Sequence, residues 1–193
     1  MTKNKKDDRV KEQQVTYDIY ATIDDGHRYE VDEGKLELLS APSPKHQVVG
    51  GYMLQLLMNS CQSDYIVFAS PIDVILSATE VRQPDLVMVH RGNMGIVTRR
   101  GIEGIPDLVG EILSPHSVKR DKQRKLHVYA KYEIPEYWII DPGNEALEQY
   151  MLANGKYELI NLYERDDIVR SERLPCISFT MAQILETAAE LPG

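Results

Sequence analysis

Ile105-Pro106-Asp107-Leu108-Val109-Gly110-Glu111-Ile112-Leu113-Ser114-Pro115 is a short apolar run closed off by prolines. That pattern predicts a buried strand over about 106–113. Glu111 lies inside it, and a carboxylate taken out of water needs a partner to offset lost solvation. A divalent cation would supply one. So would a Lys or Arg at the mouth of the strand, and at this point both readings stand.

Asp107 lies on the same strand but cannot share a cation with Glu111. Four residues of strand span about 13 Å, whereas oxygen ligands sit about 2.0–2.6 Å from a bound ion. Residue 113 faces the same side as Glu111, but it is Leu. The partner must come from another element. Asp85 is the best candidate, because it opens a second apolar strand, Arg82-Gln83-Pro84-Asp85-Leu86-Val87-Met88-Val89. Downstream, a helix is expected from a cap at Ser117 to about Tyr132, stopped by Pro135. Asp121, Lys125 and Tyr129 repeat every four residues along it and share a face. If that face looks back at the strand end, Lys125 reaches Asp85 and Glu111. Two carboxylates, a divalent cation and an amine suit phosphodiester hydrolysis, and Mg²⁺ fits such a sparse oxygen site. The plain alternative is that Asp121 and Lys125 form an ordinary helical ion pair and Tyr129 belongs to the core.

The other elements follow from spacing. Arg28–Val31 and Lys35–Leu39 read as strands around Asp32-Glu33-Gly34, a turn whose Gly supplies positive φ. Ser43 caps and Pro44 opens a helix over about 44–61, with Val48, Val49, Tyr52, Met53, Leu56 and Leu57 on its apolar face. His46 falls in its first turn, where a surface role is the plain reading. Strands are expected at 65–69, 72–76 and 136–141, a hairpin at 146–162 around Asn154-Gly155, and a short strand near 168–173. A capping box at Thr180–Gln183 opens a last helix. Residues 90–104 read as a long loop, and its Arg91, Arg99 and Arg100 are candidate phosphate contacts.

The chain has 193 residues, enough for one domain with a real core. Residues 1–14 read as a polar tail and 15–193 as one domain. With 30 acidic against 22 basic residues the net charge is −8. That argues against a non-specific nucleic-acid coat, though not against a local basic cleft. No apolar run nears the roughly 20 residues of a membrane helix, and the N-terminus lacks the apolar core of a signal peptide. Cys61 and Cys176 are far apart in sequence, so reduced thiols in a cytoplasmic protein are expected.

Taken together, Pro84-Asp85, then Pro106-Asp107-Leu108-Val109-Gly110-Glu111-Ile112-Leu113-Ser114-Pro115, Asp121, Lys125, Tyr129-Ala130 and Pro135-Glu136-Tyr137-Trp138-Ile139-Ile140-Asp141-Pro142 resemble the Uma-type putative restriction endonuclease family. That family belongs to the PD-(D/E)XK nuclease superfamily. Tyr29-Glu30, Gly34, Ser40 to Ser43 and His46 fit it as well, and the resemblance covers roughly residues 17–185. It implies an α/β (α+β) restriction endonuclease-like fold, a central mixed β-sheet flanked by helices. It implies Mg²⁺ or Mn²⁺ at Asp85 and Glu111, with Glu30 as an auxiliary acid. It implies that the catalytic lysine has moved from the superfamily position, here Leu113, to Lys125. His46, Asp121 and Tyr129 are then assigned to substrate contacts, DNA is the expected substrate, and a homodimer is expected. Glu133 departs from the small residue usual at that helix end. Two other functions stay open: a catalytically inactive nucleic-acid-binding or assembly protein that kept the fold, and hydrolysis of another phosphoester.

Overall fold

A computed structural model describes residues 14–114 and 120–191, and of Arg120 the backbone alone. Most of the expected tail, and the expected cap at Ser117, lie outside the described residues.

The decisive run forms a strand, Leu108–Ile112, and every residue in it is buried. It is the eighth of thirteen strands among the described residues. In chain order the strands are β1 Tyr29–Asp32, β2 Lys35–Leu38, β3 Tyr65–Ala69, β4 Val74–Ser77, β5 Glu80–Arg82, β6 Leu86–His90, β7 Ile102–Glu103, β8 Leu108–Ile112, β9 Glu136–Asp141, β10 Ala146–Ala153, β11 Lys156–Tyr163, β12 Ile168–Val169 and β13 Phe179–Thr180. The α-helices are α1 Tyr17–Tyr20, α2 Pro44–Cys61, α3 Leu126–Lys131 and α4 Met181–Ala188. The main sheet runs β11-β10-β9-β8-β6-β3. β8 pairs antiparallel with β6 and parallel with β9, so the sheet is mixed. A second sheet runs β2-β1-β5-β4-β7, and β12 pairs with β13.

Alternation along β8 divides the core. Leu108 and Ile112 face one side, with Met53 and Leu57 of α2 and Ile184 and Leu185 of α4. Val109 and Leu113 face the other, with Tyr129 of α3, Tyr137 of β9 and Val74 and Ile102 of the second sheet. The period of two thus buries both faces of one strand. Parallel β8 and β9 need a crossover, which the segment containing α3 provides.

α2 starts at Pro44, with Ser43 Oγ accepting from the His46 amide at 3.2 Å. Thr180 and Gln183 complete the capping box of α4. The β10–β11 turn puts Asn154 and Gly155 at positive φ. Glu133, just past α3, is also left-handed at φ 59°, the conformation that makes a small residue usual at a helix end.

Four expectations are corrected. The run 82–89 is not one strand. Arg82 ends β5 in the second sheet and Leu86 begins β6 in the main one. Pro84 lacks the N–H a ladder requires, so the chain changes sheets there. Residues 90–104 are not plain loop: Arg91–Ile96 forms a 3₁₀ turn and β7 pairs with β4. Gly101 makes that approach possible, since a Cβ there would run into the Asp73 carbonyl. Within the described residues, the helix expected to Tyr132 is not α-helical throughout: Arg120–Lys125 is a π-helical turn, and α3 follows it. Finally, Cys61 and Cys176 are not free thiols. They form a disulfide with Cα atoms 5.2 Å apart, because folding brings the end of α2 against the loop before β13. Disulfides are rare in reducing compartments, so the thiol argument for the cytoplasm falls away. Among the described residues, no helix is long and apolar enough to cross a membrane.

Candidate active site

The site forms where β6 begins and β8 ends. The β6–β8 register pairs Leu86 with Gly110. Extended by one residue, it sets Asp85 opposite Glu111. Asp85 Oδ2 accepts from the Ile112 amide at 2.8 Å and lies 3.1 Å from His46 Nε2. The break at Pro84 thus hands one carboxylate to the end of β8, and the cap of α2 aims His46 at it.

Glu111 is 3% exposed. Its Oε1 accepts from Lys125 Nζ at 2.6 Å and from the Tyr129 hydroxyl at 2.7 Å. Lys125 Nζ also lies 3.3 Å from Glu30 Oε1 and 3.7 Å from Asp121 Oδ1. Glu30 comes from β1, where its Oε1 accepts from the Gln83 amide at 2.9 Å. Behind it, buried Arg82 pairs with Glu80, Asp32 and Glu30. The second sheet is thereby tied to the main one at the site itself.

Burial pushes the Glu111 carboxyl up. The Lys125 charge opposes this, and the carboxylates of Asp121, Asp85 and Glu30 add to it. Burial and then Glu111 raise Tyr129 well above its usual value, so its hydroxyl stays a neutral donor. Burial pulls His46 down, but the hydrogen bond and charge of Asp85 outweigh it and leave the imidazole raised.

Glu30, His46, Asp85, Glu111, Asp121 and Lys125 all line one cavity of about 330 Å³. Tyr129, expected to touch substrate, does not line it. It is fully buried behind Glu111, where it supports the carboxylate. The loop arginines are also elsewhere. Arg91 donates to the Gln62 carbonyl, and Arg100 sits 4.2 Å over the Tyr17 ring. Neither they nor Arg99 line the cavity. Among the lining residues that went unnoticed in the sequence are Arg28 and the two side chains it bonds, Ser70 and Gln83. Arg28 shares a strand face with Glu30 by the period of two, a signal that was available. Ser70 gave none.

Among the described residues, no three His, Cys, Asp or Glu side chains form a ready cation cage. The donor chemistry still fits a hard cation. Asp85 and Glu111 face one cavity, and among the described residues Asp85 Oδ1 and Glu111 Oε2 accept no hydrogen bond. Oxygen donors of this kind, completed by water and substrate phosphate, are what Mg²⁺ or Mn²⁺ takes.

The family model described as Uma2, "Putative restriction endonuclease", matches residues 15–182. The chain belongs to the Uma2 family. A solved structure described as a putative nuclease belonging to DUF820, from Anabaena variabilis ATCC 29413, aligns with a TM-score of 0.74 at 17% identity. The alignment covers 90% of this chain and 99% of that one. At that identity the likeness establishes a shared fold, mixed sheets with flanking helices. The type IIG restriction endonuclease BpuSI aligns at a TM-score of 0.41 and 14% identity, over 76% of this chain and 16% of that one. That likeness carries no weight here. Comparison with curated protein sequences gave no match. The Uma2 description, a putative restriction endonuclease, is a nuclease description, and it is the cavity lined by Asp85, Glu111 and Lys125 that bears on it.

Proposed function

We propose that this protein is a metal-dependent DNA endonuclease of the PD-(D/E)XK type, with Mg²⁺ or Mn²⁺ held by Asp85 and Glu111. One observation carries the proposal: Asp85, Glu111 and Lys125, from three separate segments, converge on a single cavity. When bound, the cation would acidify a water and polarise the phosphoryl oxygen. The protein's own groups do the rest. The Ile112 amide and His46 fix the rotamer of Asp85. Tyr129 and Lys125 both bond Glu111 Oε1, so among the described residues Oε2 keeps its acceptor capacity on a side chain that lines the cavity. Lys125 carries a positive charge to the place where negative charge grows on the phosphate. Glu30 and Asp121 hold that ammonium in position. Residues 15–193 acting as one domain, in a homodimer, complete the picture drawn from the sequence.

A second reading is favoured by one fact: the Lys125 ammonium lies 2.6 Å from Glu111 Oε1 and offsets its charge from within the chain. The cluster would then be a structural ion network in a binding or assembly protein. Nicking of supercoiled plasmid with Mg²⁺ or Mn²⁺ separates the two. The wild type is expected to cut, and Glu111→Gln to lose cutting while keeping its circular dichroism. A folded wild type that cuts no DNA with either metal removes the nuclease proposal and leaves the second reading.

A further inference from the structure

We propose that Arg28 forms an anion subsite in the cavity wall that grips a backbone phosphate beside the scissile one. Arg28 is partly buried and lines the same cavity as Asp85 and Glu111. Its guanidinium is fixed from two sides. Nε donates to Gln83 Oε1 at 3.2 Å, and Nη2 donates to Ser70 Oγ at 3.0 Å. Gln83 is itself locked: its Nε2 donates to Asp73 Oδ1 at 2.9 Å and to the Tyr20 hydroxyl at 3.1 Å. Its carbonyl oxygen can therefore only turn toward Arg28. Three separate segments thus hold one side chain in place, unlike a surface arginine sweeping through solvent.

The partners of Arg28 are neutral. Among the described residues no carboxylate lies within ion-pairing distance of it, and Nη1 has no hydrogen bond. Arg82, by contrast, has three carboxylates around it, and Lys125 has three as well. A guanidinium at the wall of a cavity, positioned but not neutralised, is a site for an anion with several oxygen acceptors, and a phosphate group matches its fork of donors. The cavity also holds Glu30, Asp85, Glu111 and Asp121, so a polyanion entering it needs fixed positive charge as well as a cation. The identity of the anion as a DNA phosphate rests on the nuclease proposal; the existence of the subsite does not.

The test compares wild type, Arg28→Met, which keeps the aliphatic stem, and Arg28→Lys, which keeps the charge without the fork. Two readouts are taken on each. Anisotropy of a fluorescent DNA duplex is measured over a range of salt, with Ca²⁺ in place of Mg²⁺. Thermal melting is measured in inorganic phosphate and in chloride at matched ionic strength, and the chloride melt checks folding. Arg28→Met is expected to bind the duplex roughly ten- to a hundredfold more weakly. Its log–log salt dependence should be shallower by about one. It should also lose a stabilisation by phosphate of a few degrees that wild type shows, with Arg28→Lys in between. In cleavage assays the loss should fall on KM more than on kcat. If Arg28→Met matches wild type in salt slope and in response to phosphate, the subsite is refuted, whether or not wild type cuts DNA. If wild type neither binds nor cuts DNA but phosphate stabilises it and not Arg28→Met, the subsite stands and the nuclease proposal falls. If phosphate stabilises neither protein and no duplex binds, both fall.

Discussion

Lys125 is 1% exposed and sits among Glu111, Glu30 and Asp121. An ammonium desolvated to that degree is held there by the opposite charges around it, and they by it. Removing it would strand buried carboxylates. Lys125→Met is therefore expected to destabilise the fold by about 3–5 kcal/mol, read by urea denaturation, as well as to abolish any cleavage. A loss under about 1 kcal/mol would mean the cluster is better hydrated than its burial indicates. Asp73 supplies a test in pH. Burial raises its carboxyl, against the hydrogen bonds from Gln83 and Tyr20 that lower it. A raised folded-state value means the folded protein holds the proton more tightly than the unfolded chain. This contribution to stability is full at acid pH, below the unfolded value, and is lost as pH rises through the folded one. Asp73→Asn removes the titration. The stability of the variant relative to wild type should thus improve from about pH 4 to pH 7, in denaturant melts at each pH. A difference independent of pH would mean Asp73 is not buried as described.

At the scale of elements, two segment ends set the site. The amino end of α2 carries His46 one turn from its cap. Ser43→Ala should cost about 1 kcal/mol through the lost cap bond, measured by thermal or urea unfolding. It should also loosen the first turn that aims His46 at Asp85. Retention of full stability would show that packing of Met53 and Leu57 alone holds the helix. The π-helical turn before α3 is the second device. Spacing of four already placed Asp121, Lys125 and Tyr129 on one face. The wider turn keeps Asp121 and Lys125 buried at the site and passes to α-helix for Tyr129. Such insertions occur often at functional positions.

At the scale of the molecule, the Cys61–Cys176 bond spans 115 residues. It ties α2 to the segment that leads into β13 and α4, so it closes all six strands of the main sheet and the crossover into one loop. Chain-entropy reasoning gives such a loop about 4–5 kcal/mol, less whatever the folded state gives back. Reduction, or Cys176→Ser, is expected to lower unfolding stability by about 2–5 kcal/mol while the far-UV spectrum persists. Identical melts with and without reductant, together with two titratable thiols in the native protein, would show that the bond does not form in solution.

Much of this was written in local pattern. The caps at Ser43 and Thr180, the Asn154-Gly155 turn and the period of two along Leu108–Ile112 each depend on residues within a few positions, and each element formed where its pattern lay. The same holds for the buried carboxylate at 111: an apolar run with one acid in it announces a demand. What met that demand could not be read locally. The switch of sheets at Pro84, the anchoring of Arg28 by Ser70 and Gln83, the burial of Tyr129 behind Glu111 and the pairing of Cys61 with Cys176 join residues 18 to 115 positions apart. Their distances are set by how two sheets and a crossover pack, and spacing along a chain holds no record of that. The sequence by itself fixed which side chains needed partners, because burial and charge are properties of residues; only the tertiary structure decided which partners they met, because proximity across a sheet is a property of the fold.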